Sequence, residues 1–170
     1  NFRMQREIPY LLGTKLQFVN VGFNHQSNGR SEPLSRSWNR IVANVGLEKN
    51  FGTATNDSFE LLLKTWYRLP EDDADDDNPD LSRYMGYGEL WGTLYWKKQR
   101  FALMLRNNLR SDNKGAVQLE WSMPLASINE NLAKKISLYV QYFNGYGESL
   151  LDYNKNVNRI SAGLMLADWY

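Results

Sequence analysis

Gln17-Phe18-Val19-Asn20-Val21-Gly22-Phe23-Asn24-His25-Gln26-Ser27 divides, residue by residue, into two unlike rows. Side chains along a β-strand repeat with period two, so the stretch reads as one strand with two faces. Val19, Val21, Phe23, His25 and Ser27 form one row, and Phe18, Asn20, Gly22, Asn24 and Gln26 form the other. His25 is the only histidine of the chain, and it stands beside Ser27 on the otherwise apolar row. A potential general base and a potential nucleophile are thus same-side neighbours. In a soluble barrel that row would be buried in the core. In a membrane barrel it faces lipid, an address that suits an enzyme acting on lipid.

The same alternation recurs downstream. Val117, Leu119, Trp121 and Met123 alternate with Gln118, Glu120 and Ser122, and Ile136, Leu138, Val140 and Tyr142 alternate with Ser137, Tyr139 and Gln141. Phe101, Leu103 and Leu105 oppose Ala102, Met104 and Arg106; Phe59, Leu61 and Leu63 oppose Glu60, Leu62 and Lys64. Ile160, Ala162, Leu164 and Leu166 are set against Arg159, Ser161, Gly163 and Met165. Leu90 to Trp96 is apolar on both faces, so the pattern leaves its orientation open. Helical periodicity fits none of these stretches better.

Connections are long and short in turn. The loop Asn28–Ser35, the acidic Pro70–Asp80 and the Gly- and Asn-rich Gly145–Asn158 fall at one end of the strands; a tight reversal at Lys97–Arg100 falls at the other. Membrane barrels carry longer loops outside and shorter turns inside. Trp169-Tyr170 closes the chain on the turn side, where an interfacial aromatic is expected. The reading is all-β: a transmembrane antiparallel up-and-down β-barrel. A soluble barrel or sandwich also alternates, but its exposed row should be more charged than Ser137-Tyr139-Gln141.

Composition agrees. The net charge of +1 provides no field for gathering nucleic acid, and the lack of cysteine excludes disulfides, thiol chemistry and Cys-based zinc sites. No apolar run approaches the roughly 20 residues of a membrane helix. A mean hydropathy of −0.58 with 14% aromatics suits strands of which only one face is apolar.

The second strand repeats the oddity of the first. Asn39, Ile41, Ala43, Val45 and Leu47 share one face, which places the polar Asn39 on an apolar row. If the two strands form a hairpin over Asn28–Ser35, then His25, Ser27 and Asn39 meet across adjacent strands. A serine hydroxyl needs a base to become nucleophilic, and the base needs an acceptor to hold its tautomer; a carboxamide oxygen can do that.

The block Gly22-Phe23-Asn24-His25-Gln26-Ser27-Asn28-Gly29-Arg30-Ser31-Glu32-Pro33-Leu34-Ser35-Arg36-Ser37-Trp38-Asn39-Arg40 closely resembles the active-site block of the bacterial outer-membrane phospholipase A family. The likeness continues through Asp77-Asn78-Pro79-Asp80, Tyr84-Met85-Gly86-Tyr87 and Gly145 to Asn154, and covers nearly the whole chain from about Thr14. The resemblance implies a calcium-dependent serine hydrolase of the bacterial outer membrane that cleaves phospholipid acyl esters and is active as a homodimer. It implies Ser27 as nucleophile, His25 as base and then acid, and Asn39 as the orienting third member. Backbone N–H groups at Ser27 and Gly29 would bind the oxyanion. The Arg30 carbonyl and Ser35 hydroxyl match calcium ligands, and Glu32 and Asp77 match a second, looser site where Glu32 replaces a shorter carboxylate.

The family barrel has twelve strands, whereas alternation gives about eight here. Residues 1–170 are therefore expected to form one barrel domain that lacks N-terminal strands. Other readings remain on sequence alone: a catalytically inactive outer-membrane barrel serving as anchor or narrow channel, and a soluble lipid-carrying barrel. The acidic run Glu71–Asp80 is either a solvated loop or a collector of divalent cations. Glu60, Lys64, Glu89, Arg106, Gln118 and Glu120 are expected to form a hydrogen-bonded plug in the lumen.

Overall fold

Each alternating stretch forms a strand in the computed structural model, which describes residues 13–51, 57–72, 76–129 and 136–166. The strands are β1 (Lys15–Ser27), β2 (Ser37–Asn50), β3 (Ser58–Arg68), β4 (Gly88–Trp96), β5 (Gln99–Asn107), β6 (Gly115–Pro124), β7 (Ile136–Gly145) and β8 (Val157–Leu166). They pair antiparallel in sequence order to form one eight-stranded sheet. Edges β1 and β8 do not pair with each other among the described residues. The only helical elements described are α1 (Leu81–Met85) and a 3-10 turn at Leu125–Ser127. Trp169-Tyr170 and most of the N-terminal segment lie outside the described residues.

The two faces differ as the alternation requires. One exposes Val21, Phe23, Ile41, Leu63, Leu103, Leu105, Leu119, Ile160 and Leu164, with Ile160 75% and Leu164 69% accessible. An apolar surface continuous across eight strands exceeds what a water-soluble monomer presents, and hydrocarbon covers it. The sheet is thus a membrane-spanning β-barrel wall. Register settles the orientation of β4: Leu90 pairs with Leu105 and Leu94 with Phe101 on the lipid side. Its other row turns inward, where Trp91 packs on the buried cluster of Met104, Ala116 and Phe143.

The inner face holds the polar residues in pairs. Lys64 Nζ lies 3.1 Å from Glu89, Arg106 lies 3.7 Å from the same carboxylate, and Arg100 lies 2.6 Å from Glu120. Gln118 donates to Glu120 at 2.6 Å. A charge inside a barrel wall is tolerable only when paired and hydrogen-bonded; of the residues expected in the plug, Lys64, Glu89, Arg106, Gln118 and Glu120 are paired here, with Arg100 joining them. Glu60 shares this face, with its carboxyl half-buried.

Two local features depart from simple alternation. A β-bulge between Leu16 and Phe18 shifts the register, and Gln17 donates to Glu48 at 2.6 Å. The β4–β5 reversal is only Lys97-Lys98, both left-handed at φ 49° and 67°. A two-residue hairpin of type I′ needs that conformation at both positions, which glycine or asparagine adopts more easily.

At the long-loop end a second core closes over the inner face. Trp38, Trp66, Leu81 and Tyr153 are buried together, with Tyr84, Met85 and Leu150 packed against them. Trp38 and Trp66 meet edge to face at 6.2 Å. Helix α1 thus belongs to a cap made by the loops, and that cap backs the strand ends from which the candidate site projects.

Candidate active site

Strands β1 and β2 form the hairpin that the sequence requires, with His25 opposite Asn39 and Ser27 opposite Ser37. His25 Nδ1 and Asn39 Oδ1 are 2.9 Å apart. Both side chains stand on the lipid-facing row, above Phe23 and Ile41, which are 63% and 41% exposed. Ser27 follows His25 on that row, about 6.6 Å further along the strand by its rise per residue. An amide oxygen facing Nδ1 makes that nitrogen the proton-bearing donor and leaves Nε2 as a lone-pair base. Ser27 is exposed and makes no hydrogen bond to His25 among the described residues; a hydroxyl and an imidazole on one row are the groups that acyl transfer uses.

Behind the row, the inner face holds the same strand ends rigid. Trp38 Nε1 donates to Gln26 Oε1 at 3.1 Å, and Arg40 donates to Asn24 at 2.7 Å while lying 3.8 Å over the Trp38 ring. These contacts alternate with His25, Ser27 and Asn39 along the backbone and fix the strands that carry them.

The loop after Ser27 is organised by Asn28. Its Oδ1 accepts from the backbone N–H of Arg30 at 3.2 Å and of Arg36 at 3.1 Å, and its Nδ2 donates to Leu34 O at 2.6 Å. Gly29 is at φ 66°, a conformation that strains any side chain, and turns the backbone sharply just beyond Ser27. Turned backbone amides at such a position can face a developing oxyanion.

The acidic loop folds back onto this hairpin. Asn78, fully buried, accepts from Ser37 N at 2.9 Å, and Arg68 binds Asp76 at 2.5 Å. Ser35 Oγ donates to Asp77 Oδ2 at 2.5 Å. A hydroxyl and a carboxylate in contact form a hard oxygen pair of the type calcium prefers, and the hydroxyl keeps its lone pairs for a cation. The Arg30 backbone is held on the same loop by Asn28. Glu32 is exposed on this loop. No group of three or more His, Cys, Asp or Glu side chains converges among the described residues. Ser35 and Asp77 are thus brought together.

Pattern alone did not single out Glu71. Asn39 Nδ2 donates to Glu71 Oε1 at 2.9 Å, and Leu69 N donates to Asn39 O at 2.8 Å. In sequence Glu71 is simply the first carboxylate of an acidic run. Its position after Leu69-Pro70, where β3 leaves β2, is the signal that register would have supplied.

Comparison with known proteins identifies the family. The family model described as phospholipase A1 matches residues 2–166. Phospholipase A1 of Klebsiella pneumoniae is 37% identical over 158 residues, covering 93% of this chain and 49% of the relative. The Escherichia coli K12 phospholipase A1 is also 37% identical over 158 residues, covering 93% and 48%. The chain therefore spans about half the length of the curated relatives it matches. Outer membrane phospholipase A from Escherichia coli superimposes with a TM-score of 0.78 at 35% identity, covering 94% of this chain and 55% of that one. It is also known as a variant with an active-site asparagine replaced by alanine. The Salmonella typhi outer membrane phospholipase, a dimer with bound calcium, gives the same TM-score, identity and coverage. Sequence, strand order and barrel wall point the same way, and this chain belongs to the phospholipase A1 family.

Proposed function

We propose that this chain carries the catalytic strands of an outer-membrane phospholipase, contributing eight strands to a larger barrel that hydrolyses phospholipid acyl esters. The observation that carries the reading is the 2.9 Å His25–Asn39 contact on the lipid-facing row that also bears Ser27. Substrate reaches such a row by lateral diffusion in the leaflet, without leaving hydrocarbon.

Ser27 Oγ attacks the ester carbonyl carbon while His25 Nε2 takes the hydroxyl proton. Asn39 Oδ1 accepts from Nδ1–H and holds the imidazole through its cationic state. The tetrahedral oxyanion is stabilised by the backbone N–H groups of Ser27 and Gly29. The carbon–oxygen bond to the lysophospholipid breaks, and His25 returns its proton to that alkoxide. Water, deprotonated by His25, then releases the fatty acid from acyl-Ser27. A neutral carboxamide helps the imidazolium less than a carboxylate would, but it is cheaper to keep beside hydrocarbon.

Calcium fits the oxygen donors near the site: the Arg30 carbonyl and the Ser35 hydroxyl, itself hydrogen-bonded to Asp77, would hold it. When bound, the ion supplies positive charge toward the developing oxyanion. Glu32 is assigned to a separate, weaker site together with Asp77. The dimeric, calcium-bound Salmonella typhi relative supports a homodimeric active form here. The test is Ser27→Ala in the full-length protein in detergent micelles with calcium. Phospholipid hydrolysis should disappear while the folded barrel persists; retained hydrolysis would refute the assignment.

A further inference from the structure

Asn39 can present either end of its carboxamide to His25, and only one end is productive. With Oδ1 toward Nδ1, the imidazole carries its proton on Nδ1 and offers Nε2 as base. With Nδ2 toward Nδ1, the amide hydrogen claims the Nδ1 lone pair, and the proton moves to Nε2, where a base is needed. Nothing intrinsic to an asparagine chooses between the two, because its ends are nearly the same size. The choice must come from whatever faces the other end.

We infer that Glu71 is the positioning residue that makes this choice. Its carboxylate accepts from Asn39 Nδ2 at 2.9 Å, and an ionised carboxylate has no hydrogen to give. The end of Asn39 that faces Glu71 must therefore be the amide nitrogen, and the oxygen is left to His25, 2.9 Å from Nδ1. The backbone places Glu71 for this role. Leu69 N–H donates to Asn39 O at 2.8 Å, continuing the β2–β3 pairing beyond Arg40–Arg68, and Pro70 turns the chain so that Glu71 returns to Asn39. The line Glu71–Asn39–His25 also brings a negative charge to the far side of the neutral carboxamide, where it favours the imidazolium that forms during attack. Glu71 touches neither substrate nor nucleophile; it acts through Asn39.

The inference rests on the Ser27, His25 and Asn39 reading above, and the experiment separates the two. Steady-state kinetics in micelles at saturating calcium are compared for wild type, Ser27→Ala, Glu71→Ala, Glu71→Gln, Asn39→Ala and the Asn39→Ala/Glu71→Ala double variant. Glu71→Ala should lower kcat about tenfold, equivalent to about 1.4 kcal/mol, with KM unchanged. Glu71→Gln brings an amide that donates as well as it accepts, so it cannot select the end of Asn39 and should lose about as much as the Ala variant. In the Asn39→Ala background, Glu71→Ala should cost nothing further, since the two act as one unit. Unchanged kcat in Glu71→Ala overturns the inference, as does an undiminished loss in the Asn39→Ala background. Wild-type kcat in Glu71→Gln also overturns it. If Ser27→Ala still hydrolyses phospholipid, the parent reading fails; if Ser27→Ala is inactive but Glu71→Ala is normal, only this inference fails.

Discussion

The lipid-facing rows of β1–β2 and β5–β6 are built from the same period-two pattern but end differently. On β5–β6, Phe101, Leu103 and Leu105 pair with Trp121, Leu119 and Val117 without a polar interruption, and only the last pair, Asn107 opposite Gly115, is polar. On β1–β2, Val21 and Ala43, then Phe23 and Ile41, give way to His25 opposite Asn39, with Ser27 beyond. A polar side chain on a hydrocarbon-facing row lowers stability, and β5–β6 confines its own to the single pair at the strand end. What distinguishes the polar end of β1–β2 is its support: Asn28 organises the adjoining loop, Trp38 and Arg40 brace it from within, and Glu71 meets Asn39 from β3. Uniform rows hold the barrel in the membrane; the interrupted row is the one proposed above to do chemistry.

The largest effect should come from removing that chemistry without touching the wall. Ser27→Ala is expected to lower phospholipid turnover by about 10⁴-fold or more, leaving the strand circular dichroism unchanged. Next, a charge introduced into the uniform row should cost what the interrupted row avoids by placing its polar groups at the loop end. Leu103→Arg, opposite Leu119 at mid-strand, is expected to destabilise the barrel by about 2–4 kcal/mol in reversible denaturant unfolding from lipid vesicles. Asn39→Ala should be milder than loss of Ser27, since it removes orientation rather than the nucleophile. About tenfold in kcat is expected, or about 1.4 kcal/mol, with little change in KM.

The uniform rows were readable in the sequence, because residues of opposite preference alternate there and a one-residue slip would invert the faces. His25 and Asn39 were readable for the same reason, as polar residues out of place on apolar rows. β4 was not: Trp91 is inward on the Met104–Phe143 cluster and Leu90 and Leu94 are outward, so both rows look greasy until Glu89 and register decide. Helix α1 was missed because five residues carry too little periodicity, and Leu81 is buried by the loop cap rather than by a helix partner. The Lys97-Lys98 turn was visible as a reversal, but its left-handed backbone was not, since neither residue is glycine. Glu71 depends on where Pro70 sends the chain, which no local pattern specifies.

The smallest expected effect lies in the loop cap that backs the site. Tyr153 Oη donates to Asp80. Burial first, and then this hydrogen bond, push the Tyr153 phenol above its ordinary value of 10.0. A raised phenol favours the neutral form in the folded state, so its stabilisation is complete below about pH 10 and is lost as pH rises through the raised value. Tyr153→Phe should cost about 1 kcal/mol at neutral pH. Limited proteolysis of the 146–156 loop should accelerate above about pH 10 in the wild type, and this alkaline step should be absent in the variant.

Covalent capture of the nucleophile tests the central claim most directly. A long-chain alkyl sulfonyl fluoride, presented in micelles with calcium, should lose fluoride to Ser27 Oγ and leave a sulfonate ester on the peptide that contains it. The account predicts one label, at Ser27, formed in step with the loss of hydrolysis and abolished by His25→Ala. Inactivation with the label on another residue, or full activity with Ser27 modified, would contradict it.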